Sequence, residues 1–212
     1  LIGLPAVPAA QERNEHTIFT NLLQKYISGE QVDYGGFKTD ENELDRYLSQ
    51  LSGTDVDALD DKSRYAFYIN AYNAFTIKLI LTRYPDIDSI KDLGGLFSSP
   101  WKKKFIPIQD KTITLDDIEH GILRPQFKDA RVHFAVNCAS RGCPPLRNES
   151  FEPAMLDAQL DEQTRSFINT PGKLKIDGST IYISKIFKWF SEDFNDDPVE
   201  FIKKYADEGL AG

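Results

Sequence analysis

The chain has 212 residues, an apolar fraction of 41% and a formal net charge of −8. That size and composition suit one soluble globular domain with a sizeable core. The acidic balance excludes the phosphate-tracking surface that nucleic acid or an anionic membrane would need, and the most apolar stretch, YAFYINAYNAFTIKLIL, is too interrupted by asparagines and a lysine to be a transmembrane segment.

The opening residues LIGLPAVPAAQERNEH lack periodicity and read as a flexible segment over 1–14, ahead of one globular domain over 15–212. Because the chain starts at Leu1 and its one methionine is Met155, a removed signal peptide or lipoprotein anchor is expected. An extracytoplasmic location follows, periplasmic, lipid-anchored or secreted. Ile18, Leu22, Leu23, Tyr26 and Ile27 recur at helical spacing, and Leu44, Tyr47, Leu48 and Leu51 repeat the pattern after Gly35–Gly36, so two amphipathic helices open the domain. From about Asp61 to Tyr84 the sequence is apolar nearly all round, which predicts a central helix buried on most sides. DIDSIKDL is a short helical candidate, and FIPI and TITL are short alternating runs that read as a hairpin. Thr114 followed by Asp117 is a capping signal for a helix through IEHGILR, closed by Pro125. The alternation of VHFAVN predicts a strand, residues 154–168 a helix, LKIDGSTIYIS a second hairpin, and Asp197–Pro198 the start of a terminal helix. The expected class is α+β, with a central buried helix against a small, mostly antiparallel sheet and surrounding helices.

The chemistry-bearing residues cluster in two segments. In RVHFAVNCASRGCPPL, strand alternation puts Val132, Phe134 and Val136 on one face and His133 and Asn137 on the other. Cys138 lies just past the predicted strand end, where the backbone N–H groups of a turn favour a thiolate and an oxyanion. Four readings of Cys138 and Cys143 stay open: a disulfide, a reactive thiol, an inert buried pair and metal ligands. Neither common cysteine-pair spacing of zinc sites is present, and no metal or other cofactor is called for. In the second segment, Leu115, Ile118 and Ile122 form the apolar stripe, leaving His120 on the far side and Glu119 at its border, a general base with an orienting acid. Asn70 and Asn73 sit three apart on the apolar central helix, beside Tyr68 and Tyr72, and either lock it to a neighbouring turn or line a cleft. Arg124, Arg131 and Arg141 surround the cysteine segment and suit either ion pairing or capture of a carboxylate or thiolate.

FYINAYNAFTIKLIL, DDIEHGILR and VHFAVNCASRGCPPL, in that order, resemble the bacterial and plant domain-of-unknown-function family 547, over roughly residues 60 to 170. The resemblance marks Asn70, Asn73, Glu119, His120, His133, Asn137, Cys138 and Cys143. A cysteine, histidines and asparagines beside a central helix are also similar to papain-like and transglutaminase-like sites, although those place the cysteine at the start of that helix, where this chain carries asparagine within it. The resulting expectation is a thiol hydrolase or transferase acting on a peptide, isopeptide or thiol-containing small molecule. Cys138 is its nucleophile, with His120 or His133 as base and Glu119 or an asparagine orienting it. Asn70, Asn73, Asn137, Arg124 and Arg141 are the candidate substrate-binding residues. The alternative is a non-enzymatic module binding a ligand or protein, with Cys138 and Cys143 in a disulfide. The riskiest expectation is that Cys138, His120 and Asn70 meet in one cleft.

Overall fold

The structure, a computed structural model, describes residues 16–95, 98–140, 142–178 and 180–207. The expected flexible segment 1–14 and the candidate residue Arg141 lie outside the described residues. Helix α1 (Thr17–Tyr26) leads through a minimal hairpin, β1 (Ile27–Ser28) and β2 (Gln31–Val32), into the short α2 (Tyr34–Thr39) and then α3 (Glu41–Ser52). In α3 the four periodic residues Leu44, Tyr47, Leu48 and Leu51 are all buried, as their spacing requires.

The central helix α4 (Asp61–Leu81) is capped by Asp60, whose carboxylate accepts from the Ser63 N–H at 2.8 Å. Every residue from Tyr65 to Ile77 is buried, so α2, α3 and later elements pack around it. Burying Asn70 inside such a helix is tolerable only if both ends of its amide are satisfied. They are: Nδ2 donates to the Phe151 carbonyl at 2.8 Å and Oδ1 accepts from the Phe151 N–H at 2.9 Å.

The expected hairpin follows as β3 (Ile106–Ile108) against β4 (Lys111–Ile113), with Ile106 opposite Ile113. The Thr114–Asp117 signal forms a reciprocal capping box, the Thr114 N–H donating to the Asp117 carboxylate and the Asp117 N–H to the Thr114 hydroxyl, each at 2.9 Å. Two expectations fail beyond that cap. Pro125 does not close the helix; Asp117–Phe127 is a π-helix containing it, ended by Lys128 in the left-handed region at φ 50°. The i→i+5 winding also moves the apolar stripe, so that Leu123, five residues after Ile118, is fully buried, whereas Ile122 is only partly so.

VHFAVN is not a strand. Val132–Ala135 form a single helical turn, α5, and Val136 returns to extended backbone. The alternation misled because it assumes a wet polar face; here Val132, His133, Phe134, Ala135 and Val136 are all buried, His133 against a carboxylate. Helix α6 (Leu156–Asn169), a hairpin of β5 (Leu174–Asp177) and β6 (Thr180–Ile183), the one-turn α7 (Ile186–Trp189) and α8 (Pro198–Tyr205) complete the chain, with Asp197 capping α8. The architecture is α+β. Among the described residues the strands form three separate antiparallel hairpins rather than one sheet. The larger core surrounds α4; a second cluster of Phe134, Phe167, Ile186, Phe187, Phe194, Ile202 and Tyr205 joins α5 to the C-terminal elements. No described helix is long and apolar enough to cross a membrane.

Candidate functional site

The cysteine loop hangs from the central helix by two amides in series. Asn73 Nδ2 donates to the Ala135 carbonyl at 2.9 Å and its Oδ1 accepts from the Asn137 N–H at 2.8 Å, so a side chain supplies what a neighbouring strand would have given. Asn137 then spans the loop: Nδ2 donates to the Pro144 carbonyl at 2.7 Å, and Oδ1 accepts from the Ala139 N–H at 2.8 Å. That last bond supports Ala139 in the left-handed region, at φ 55°. A disulfide between Cys138 and Cys143 closes the same loop, and neither cysteine is free.

The facing wall comes from the π-helix. Glu119 and His120 point towards the cysteine loop, and Arg124 lies one turn behind. Burial pushes the Glu119 carboxyl pKa up, against the pull of His120, the Tyr72 hydroxyl and Arg124. Tyr72 on α4 is also pushed well above the ordinary tyrosine value, by burial first and then by Glu119. The two groups act on each other electrostatically, yet the Tyr72 hydroxyl has no well-formed hydrogen bond among the described residues. His120 is more accessible. Its Nδ1 stands 3.2 Å from a guanidinium nitrogen of Arg124, and because arginine only donates, neutral His120 carries its proton on Nε2, which lies 4.0 Å from Asp116. A neutral His120 in this pose offers a donor at Nε2.

His133 is the buried member. Its Nε2 is 2.6 Å from Asp193, its ring stacks on Phe190 with centroids 3.9 Å apart, and its Nδ1 has no partner among the described residues. Burial lowers its pKa to about 4, outweighing the carboxylate beside it. The imidazole is therefore neutral near pH 7, with Nε2–H donating to Asp193 and Nδ1 left as an unpaired acceptor. Asp193 is held below the usual carboxylate range: burial pushes it up, but the hydrogen bonds from Arg124 and His133 outweigh that. Arg124 donates to Asp193 at 2.6 Å, pairs with Glu192 and covers the Phe190 ring from 5.0 Å.

These walls enclose a cleft of about 250 Å³ that brings Glu119, His120, His133, Cys138 and Cys143 together. Tyr72, Trp101, Trp189 and Phe190 supply much of the remaining lining. Arg124 lines an adjoining groove of about 450 Å³ that shares His120. Of the expected trio, Cys138 and His120 line this cleft, with Cys143 beside them, but Asn70 does not join them; its amide is spent on Phe151. Asn73 and Asn137 are the scaffold of the cysteine loop. Arg131, a further basic candidate, is committed to Asp129, Asp157 and Asp161. Sequence reasoning missed Trp101, Trp189, Phe190 and Asp193. The available signal was KWFSED, two aromatics followed by two acids, which no periodic pattern singles out.

A family model described as "Protein of unknown function, DUF547" matches residues 56–168, more than half of the chain. The chain belongs to the DUF547 family. No curated protein and no solved structure matches it. The family match takes in α4, the π-helix and the cysteine loop, whereas Ile186, Trp189, Phe190 and Asp193 of this DUF547 protein lie beyond it. No group of three or more histidine, cysteine or acidic side chains is placed to hold a metal among the described residues.

Proposed function

We propose that this DUF547 domain is a disulfide-stapled binding module whose cleft takes a carbonyl- or amide-bearing small molecule or peptide segment. The observation that carries the reading is that, of five buried side-chain polar atoms without a hydrogen bond among the described residues, three, Tyr72 Oη, Trp101 Nε1 and His133 Nδ1, belong to side chains that line this one cleft, the other two being Arg64 Nε and Tyr65 Oη. Each such atom costs about 1–3 kcal/mol to leave unpaired, a cost that a ligand's polar groups or ordered water can relieve. Trp101 donates, Tyr72 donates or accepts and His133 Nδ1 accepts, which fits an amide that reaches these enclosed atoms as the cleft side chains turn to expose them, while Val136, Ile186, Trp189 and Phe190 offer apolar surface for its flanks. A disulfide at the rim suits the extracytoplasmic location proposed for the chain.

Both tryptophans of the chain line the cleft, so tryptophan fluorescence reports this site alone. Titration with a series of N-acetyl amino-acid methylamides, aromatic, aliphatic and charged, is expected to give a saturable change with at least one of them, weakened about tenfold in Tyr72→Phe. No saturable change across the series sinks the binding reading. A thiol hydrolase or transferase is the second reading, favoured by the shared cleft of Cys138, His120 and Glu119; it requires the disulfide to open first. Ester or amide turnover by reduced protein that disappears in Cys138→Ala supports it, and identical turnover in that variant excludes it.

A further inference from the structure

We propose that Cys138–Cys143 is a reactive disulfide that undergoes thiol–disulfide exchange with a thiol-bearing ligand seated in the same cleft. This deepens the binding reading and rests on it. Three observations lead there. First, both cysteines line the cleft and both are partly accessible, whereas a purely structural staple is better placed away from a ligand. Second, the loop is held by more than the bond: Asn137 ties Ala139 and Pro144 together, and Asn73 anchors Asn137 to α4, which gives an opened disulfide a frame on which to close again. Third, a carboxyl that burial keeps protonated to higher pH, Glu119, lines the same cleft and can supply the proton a departing thiolate needs.

The step balances without any further reagent. The ligand's thiolate attacks one cysteine sulfur, a new S–S bond forms to it and the Cys138–Cys143 bond breaks. The departing cysteine thiolate takes the Glu119 proton, which the ligand's own ionised thiol proton replaces through solvent. A second ligand thiolate then displaces the first ligand as a symmetrical disulfide and leaves the protein as a dithiol, so two thiols are oxidised for each protein disulfide reduced.

The test uses the oxidised full chain with reduced glutathione as the thiol, quenched with acid and read by intact mass. The reference is the oxidised synthetic peptide of residues 138–143, which carries the same ring without the cleft. The protein is expected to form its glutathione mixed disulfide at least about tenfold faster than the peptide, with Glu119→Gln slowing the protein about tenfold and changing the shape of its rate-against-pH profile. Exchange no faster than in the peptide overturns the proposal, as does a Glu119→Gln rate and pH profile equal to the parent's. The methylamide titration is read separately: saturable methylamide binding alongside slow exchange overturns the exchange chemistry while leaving the binding reading standing, and absent methylamide binding removes the ground of both.

Discussion

At the residue scale, the site is governed by groups held where water would otherwise serve them better. His133 is 3% exposed and its pKa is lowered to about 4. A depressed histidine pKa means that the unfolded chain binds the proton more readily, so the stabilising contribution is complete above the ordinary value near 6.5 and is lost as pH falls through 4. The shift amounts to about 3 kcal/mol. His16, buried and also lowered to about 4, titrates over the same window. Urea unfolding at pH 7 and pH 4.5 is therefore expected to show a large loss of stability, and His133→Phe, which retains an aromatic ring against Phe190, should remove about half of it. A His133→Phe protein with the parent's full pH dependence would contradict the neutral buried imidazole. Tyr72 makes the converse case. Tyr72→Phe deletes a buried hydroxyl that has no hydrogen bond, so the ligand-free protein should be unchanged or up to about 1 kcal/mol more stable even though the cleft loses a binding group. A loss of 2 kcal/mol or more, on the scale of a broken hydrogen bond to a charged group, would show that the hydroxyl is paired after all.

At the scale of elements, two local patterns were overruled by their surroundings. The π-helix predicts an inverted mutational order: Leu123→Ala should cost about 2–4 kcal/mol because Leu123 is fully buried, and Ile122→Ala under about 1.5 kcal/mol because Ile122 is partly buried. An α-helical stripe through Leu115, Ile118 and Ile122 would give the reverse, so urea midpoints of the two variants decide the winding. The loop following α5 depends on Asn73 in a way no strand signal conveys. Asn73→Leu keeps the side chain close to its original volume but leaves the Ala135 carbonyl and the Asn137 N–H without their partner, which should cost about 2–4 kcal/mol and speed hydrogen exchange at Asn137 and Ala139. Asn70→Leu should cost a similar amount but place its faster exchange at Phe151, because that amide is bonded there. Matching exchange patterns in the two variants would refute the separate roles of the amides.

At the scale of the whole molecule, the readable part and the hidden part of the site have different physical origins. Helices α1, α3, α4 and α6 were legible because each buries a face or a whole surface at 3.6-residue spacing, α8 because Asp197–Pro198 marks its start, and the two longer hairpins because turn chemistry separates alternating runs. The meeting of Cys138 with His120 followed from ordered motifs. Its C-terminal wall did not, because Trp189 and Phe190 reach the cleft, and Asp193 reaches His133, through tertiary packing of short elements with no period of their own. Phe134 is the hinge pin of that packing: it is fully buried and touches the rings of Phe167, Phe187, Phe194 and Phe201. Phe134→Ala should therefore cost about 3–5 kcal/mol, and it should also disturb His133, its neighbour on the same turn, by loosening the segment that carries Phe190 and Asp193. A chain ended after Asn169 tests the same dependence more severely. It retains all the family-matched residues but strips Phe134 of three of those four rings and leaves His133 without Asp193, so it should bind a hydrophobic dye and lose cooperative unfolding, as an uncovered aromatic cluster demands. If that shortened chain instead unfolds cooperatively at the parent's urea midpoint, with Trp101 fluorescence unchanged before the transition, the C-terminal elements are an independent appendage and the cleft does not need them.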